Sequence, residues 1–126
     1  MNAADDSCLA LLELLPRTGR GPKREGIFAL WLVVRVAEDL VRMPPAERPH
    51  RRRIAALEQR LSSLTVPPPL RRALTAALAQ LRDGSPTAAV QVLAQLAAPA
   101  RDAAGADAAA AIDRAARSAR AALVPG

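Results

Sequence analysis

Proline and glycine divide this chain into short segments, which limits the length of any element that it can form. The breaks fall at residues 16–24, 44–49, 67–69, 83–86 and 99–105. Between them, apolar side chains recur at steps of three and four residues, the period of a helix with one buried face. Because short loops favour antiparallel neighbours, the pattern predicts an all-α fold, a single up-and-down bundle of five or six helices over residues 1–126.

The composition supports a helical fold and argues against the other classes. The chain has 30 Ala and 18 Leu but only 8 Val and 3 Ile, so the best helix formers outnumber β-branched residues. An all-β fold is therefore excluded, and a hydrophobic fraction of 51% is too high for a disordered chain. A length of 126 residues suits one domain and is too short for two.

The first two helices differ in how much of their surface is apolar. The first is predicted over Asp5–Leu15, and an exposed basic loop is expected over residues 17–24. The second is predicted over Glu25–Met43 and is apolar on all sides in its first half, so we expect it to lie inside other helices. It carries the only Phe and the only Trp of the chain, Phe28 and Trp31, which are expected to be buried.

Three further helices are predicted from narrow leucine stripes and their proline boundaries, over Pro49–Leu64, Leu70–Arg82 and Pro86–Ala98. Between the second and third of these, Gly84 suits a helix end and Ser85 suits the cap of the next helix. This pair predicts a tight antiparallel turn.

The last helix, predicted over Asp107–Val124 after a break at residues 99–105, has few large apolar side chains. Residues 99–126 therefore form an Ala-rich C-terminal region that is expected to be tucked against the bundle, to be loosely docked, or to complete its packing against a partner or a second copy. The residues of its apolar seam, the expected association surface, are Ile112, Ala116, Ala119 and Leu123.

Residues suited to catalysis are scarce. The chain has one His, one Cys and no Tyr, and neither a zinc-binding spacing nor a phosphate loop is present. Cys8 shares the apolar face of the first helix and is interpreted as a structural thiol. Glu38 and Asp39 follow Arg35 by three and four residues, which indicates a helical ion pair or a polar notch for a charged group of a partner. We expect no enzyme activity, no cofactor, no metal site and no small-molecule substrate.

Arginine clusters carry the main functional signal. The chain has a net charge of +6, and 17 of its 18 basic residues are Arg, a bias that a GC-rich genome also produces. Alternating helix directions would gather these residues at two ends of the bundle. The candidate contacts to a partner or to phosphate are Arg17, Arg20, Lys23, Arg24, Arg48, Arg51, Arg52, Arg53, Arg71 and Arg72.

These features predict a non-catalytic helical protein-interaction module, an adaptor or a small subunit of a larger assembly. Its partner would be another protein, an acidic one for the arginines, or a second copy of the chain. The alternative is a nucleic-acid-binding bundle that uses the arginines on phosphates. The acidic N-terminus does not resemble an export signal, and no apolar stretch is long enough to span a membrane, so we expect a cytoplasmic protein.

Overall fold

The computed structural model describes residues 10–16, 19, 21–43, 51–82 and 84–123, and the elements within these ranges are helices joined by turns. The described part of the first helix, α1, covers residues 10–14. The others are α2 (Pro22–Arg42), α3 (Arg51–Ser62), α4 (Pro68–Leu81), α5 (Pro86–Ala104) and α6 (Ala106–Leu123). The prediction of an all-α helical bundle is confirmed.

Contacts at the helix ends show that successive helices alternate in direction. Arg53 at the start of α3 pairs with Asp39 near the end of α2, and the backbone N–H of Thr65 beyond α3 donates to Glu25 at the start of α2. The start of α4 lies beside the start of α2, where a Cβ on Gly26 would lie 3.2 Å from Leu70 Cδ2. Helix α6 is parallel to α2.

The core lies between α2, α4, α5 and α6, and α3 is peripheral. Helix α2 contacts each of the helices α3 to α6. In α3 only two side chains are fully buried, Ile54 and Leu61. In α4 the predicted stripe is buried along its whole length; its members are Leu70, Leu74, Leu78 and Leu81. The helix at the periphery of the bundle is therefore α3, which contains leucines, and not the Ala-rich α6.

Two helix starts differ from the predicted bounds because proline is accepted in the first turn, where its missing N–H has no helical partner. Helix α2 begins at Pro22 and not at Glu25, so Lys23 and Arg24 belong to its first turn rather than to the predicted loop. Helix α4 begins at Pro68, two residues before Leu70. The predicted turn at Ser85 is present, and its side chain accepts a hydrogen bond from Ala88 N.

The predicted break at Pro99 is wrong, because α5 continues through this residue to Ala104. A proline inside a helix removes one hydrogen bond and costs about 3 kcal/mol relative to alanine. Burial of Ala100 and Ala104 beyond it offsets that cost. The helix ends instead at Gly105, whose φ of 97° is readily adopted only by glycine.

Helix α6 is packed into the bundle, as one of the predicted alternatives has it, and is not loosely docked. Ile112, Ala116 and Ala119 of the predicted association surface are buried within the chain, and Leu123 is 36% exposed. Small side chains let the axes of α5 and α6 approach closely, so this interface is filled without large residues. The prediction that this seam needs a partner is therefore wrong.

Ala108→Leu is expected to destabilise the protein by about 1–3 kcal/mol, because Ala108 is fully buried and a larger side chain would force the helices apart. The matched control is Ala110→Leu on the exposed side of α6, which is expected to change stability by less than about 0.5 kcal/mol. Urea unfolding of both variants measures the difference. Equal effects would show that α6 is not closely packed.

Candidate interaction surface

The structure divides the sequence-predicted basic residues into free and engaged side chains. Arg17, Arg20 and Arg48 lie outside the described residues. The remaining side chains that are exposed, with no ion pair or hydrogen bond to any described residue, are Lys23, Arg24, Arg51, Arg52 and Arg72. Lys23, Arg24 and Arg72 lie at one end of the bundle, and Arg51 and Arg52 lie at the other.

Arg53 and Arg71 are engaged within the fold. The Arg53 guanidinium lies 2.9 Å from Asp39 Oδ2, with side chains 41% and 24% exposed, so the pair contributes at most about 1 kcal/mol. Arg71 donates from Nη1 to Leu61 O at 3.0 Å and from Nη2 to Leu64 O. It thereby caps the end of α3 and the turn that follows it, where Leu61 O also accepts from Leu64 N at 3.2 Å. We therefore interpret Arg71 as a structural residue.

A mixed aromatic and basic stripe runs along the solvent side of α2. It consists of Arg24, Phe28, Trp31 and Arg35, at steps of four, three and four residues, and is called the α2 stripe below. The two arginines are exposed and the two aromatic side chains between them are half-buried. The aromatic rings are stacked with centroids 6.1 Å apart and planes 16° from parallel. The stripe therefore presents an apolar centre between two positive charges.

Neighbouring helices lie on both sides of the α2 stripe. On one side, Arg60 of α3 lies over the Phe28 ring, 5.5 Å from its centroid, which is a favourable cation–π distance. On the other side, Arg42 Nη2 of α2 donates to Ser118 Oγ of α6 at 2.6 Å. The stripe thus lies between α3 and α6, with an arginine in the contact on each side, and the surface between these two helices, with the stripe as its floor, is called the channel below.

The expectation that Phe28 and Trp31 are buried is met only in part, because both side chains are partly exposed while Trp31 packs against the core. Their face of α2 also carries Arg24 and Arg35, and an unpaired arginine must reach water. Trp31 Nε1 is buried without a hydrogen-bond partner among the described residues, so the exposed surface of its side chain consists of carbon atoms. This surface offers apolar contact and no hydrogen-bond donor.

Sequence reasoning missed Phe28, Trp31, Arg35 and Arg60 as surface residues. The signal was present in the steps of four, three and four residues from Arg24 to Arg35, which place all four members of the stripe on one helix face. Because α2 is apolar on all sides in its first half, hydrophobicity alone does not distinguish this exposed face from the buried faces. No sequence pattern indicates the contact between Arg60 and Phe28, because this contact depends on how α3 packs.

The predicted ion pair between Arg35 and the acidic residues that follow it is absent. Asp39 pairs with Arg53 of α3, Arg35 remains exposed, and Glu38 is buried with 5% of its surface accessible. A carboxylate three or four residues from an arginine on an exposed helix gains little, and the tertiary partner of Asp39 has formed instead.

A second basic surface lies on the outer side of α6, where Arg117 and Arg120 are exposed. Arg117 and Arg120 line a shallow depression together with Ala94 and Asp113. An acidic residue is present and no aromatic side chain lines it, so this surface lacks the apolar centre of the α2 stripe. It serves below as a control surface of the same charge.

The described residues contain no group of three or more His, Cys, Asp and Glu side chains that could hold a metal ion. Cys8 and His50 lie outside them. Among the described helices, none is long and apolar enough to cross a membrane.

Comparison with known proteins gives no match: no family model, no curated protein and no solved structure is detectably similar to this chain.

Proposed function

We propose that this protein is a non-catalytic interaction module, an adaptor or a small subunit, which binds an acidic protein through the α2 stripe. The observation that carries the proposal is the position of the chain's two aromatic residues. Phe28 and Trp31 are stacked and partly exposed between Arg24 and Arg35, although full burial would have contributed more to stability.

The composition of the stripe is that of a binding hot spot. Interface residues that dominate binding energy are enriched in Trp and Arg and lie where a partner can exclude water from them. The core is built from Leu, Ile, Val and Ala, so the aromatic residues are not required to fill it. Covering their exposed carbon surface would contribute about 25 cal/mol for each Å² removed from water.

The sign of the charge selects the class of partner. No acidic residue pairs with Arg24 or Arg35 among the described residues, so a partner with carboxylates would complement them. A second copy docked through the same stripe would bring like charges together, which is unfavourable. The second-copy alternative is therefore less well supported for this surface than an acidic protein. The single cysteine of the chain suits a reducing cytoplasm.

Nucleic acid remains the second candidate, favoured by the exposed arginines at both ends of the bundle. Single-strand binders stack bases on free aromatic faces. In this protein Arg60 already covers a face of Phe28, and the ring also packs against Trp31. The α2 stripe thus offers less stacking surface than such binders use.

The test is affinity capture from the cells that produce the protein, with and without nuclease, using three forms of the full chain. The stripe variant carries Arg24→Glu and Arg35→Glu, and the control variant carries Arg117→Glu and Arg120→Glu on α6. Each variant lowers the net charge by four units at exposed positions, so the effect of net charge on binding is the same in both.

We expect the native chain and the control variant to retain the same acidic protein after nuclease treatment, and the stripe variant to lose at least nine-tenths of it. Equal capture by both variants would exclude the α2 stripe as the site. Loss of all partners on nuclease treatment, together with recovery of bound nucleic acid, would support the second candidate and contradict the proposal.

A further inference from the structure

We infer that the segment bound by the α2 stripe is an acidic amphipathic helix that lies along α2 in the channel between α3 and α6. This inference rests on the proposed function and adds the form and the spacing of the ligand. Three observations carry it: the spacing of the charges, the lack of backbone partners in the channel, and the position of the channel walls.

The spacing of the stripe matches one face of a second helix. Arg24 and Arg35 are eleven residues apart, about 16 Å along the helix axis at 1.5 Å per residue. A ligand helix with acidic residues eleven positions apart reproduces this distance and keeps both carboxylates on one face. Two apolar residues between them, three positions apart, would then contact Phe28 and Trp31.

The channel is unsuitable for an extended peptide. Such a peptide needs backbone N–H and C=O partners from a strand edge, and the channel floor and both walls are helices, whose interior backbone groups are already paired. The backbone N–H and C=O groups of an extended peptide would lie against the carbon surfaces of Phe28 and Trp31 without hydrogen-bond partners, which costs free energy. A helix satisfies its own backbone groups and avoids this cost.

The side chains on both walls of the channel also favour a ligand helix that lies along α2 and carries acidic residues. The contact between Phe28 and Arg60 lies on the α3 side, and that between Arg42 and Ser118 lies on the α6 side. On α6, Arg114 precedes Ser118 by one turn, is exposed and lies on the same helix face. A ligand helix packed between two helices along α2 would therefore meet arginines on both flanks, which complements acidic residues beside its apolar stripe.

The experiment uses Trp31, the only tryptophan of the chain, as a reporter of the channel. The probe is a synthetic peptide without aromatic residues, with glutamate at its first and twelfth positions, leucine at its fifth and eighth, and alanine and glutamine elsewhere. One matched peptide has proline at its sixth position, and another has lysine in place of both glutamates. A thymidine oligonucleotide is the fourth probe. Emission of Trp31 is titrated with each.

We expect the first peptide to give a saturable blue shift of Trp31 emission, and the proline and lysine peptides to bind at least tenfold more weakly. The stripe variant, Arg24→Glu with Arg35→Glu, is expected to bind the first peptide at least tenfold more weakly than the native chain. The control variant, Arg117→Glu with Arg120→Glu, is expected to bind it as the native chain does.

Equal binding of the proline peptide would overturn the helical form of the ligand and leave an acidic protein as the partner. The absence of any shift with the first peptide would likewise overturn this inference, whereas the proposed function would still be judged by the capture of a native partner. A shift produced by the oligonucleotide and by none of the peptides would overturn both.

Discussion

A chain that ends at Ala98 is expected to lose its cooperative unfolding transition. The cut removes the last part of α5 and all of α6, whose buried side chains are Ala108, Ala109, Ala111, Ile112, Ala115, Ala116 and Ala119. It also exposes the apolar faces of α2 and α5 that these residues cover. Because small domains are stable by only about 5–15 kcal/mol, the loss of an entire packed helix exceeds what this bundle can absorb.

The measurement for this truncation is thermal unfolding followed by circular dichroism at a helix-sensitive wavelength. The control chain ends at Arg120, after the last buried residue of α6, and is expected to unfold cooperatively near the temperature of the full chain. A chain ending at Ala98 that unfolds like the full chain would contradict the packing of α6 described here and would restore the possibility of a loosely docked helix.

Leu30→Ala is expected to cost about 2–5 kcal/mol, and Trp31→Ala is expected to cost a similar amount although it removes a larger side chain. Leu30 is fully buried in α2, so the variant loses the transfer free energy of the side chain and leaves a cavity. Trp31 is larger but partly exposed, so the area it buries is similar to that of Leu30, and because its Nε1 has no partner among the described residues its removal breaks no hydrogen bond.

Urea unfolding of both variants, followed by circular dichroism, compares the two costs directly. Exposure of the Trp31 side chain also predicts that a soluble quencher reduces its native emission. A greater loss of stability for Trp31→Ala than for Leu30→Ala, together with protection from the quencher, would place the indole in the core and would remove the basis for the α2 stripe.

Much of the fold follows from local signals in the sequence. Gly84 and Ser85 mark a turn through backbone freedom and capping, and these effects depend on residues within one helix turn. The buried stripe of α4 follows from its leucine period. Such features can be predicted because the residues that encode them lie within a few turns of one helix or at its ends.

The errors arise where tertiary packing outweighs a local preference. Pro99 lowers helix stability locally, yet α5 continues because the residues beyond it pack against α6. The alanines of α6 bury little area each but fit a close helix pair, which a count of large apolar residues does not reveal. Trp31 was assigned to the core from hydrophobicity alone, although its face of α2 also carries Arg35.

The candidate site was only partly predictable for the same reason. Arg24 was identified from the sequence, whereas Arg53 and Arg71, also assigned to partner contacts, make contacts within the fold, with Asp39 and with carbonyl groups at the end of α3. An arginine remains available to a partner only where the fold places no acidic group or helix end beside it. A sequence shows the charge of a segment but not its tertiary partners.

The most direct test of the central claim is site-specific photo-crosslinking in the cells that produce the protein. A photoreactive phenylalanine analogue is introduced at Phe28 in the α2 stripe and, in a control chain, at Arg117 on α6, and the crosslinked products are identified by mass spectrometry. We expect position 28 to crosslink to one acidic protein that position 117 does not capture. Crosslinks from position 28 to nucleic acid, or to the same products as position 117, would contradict the assignment of the α2 stripe as a protein-binding surface.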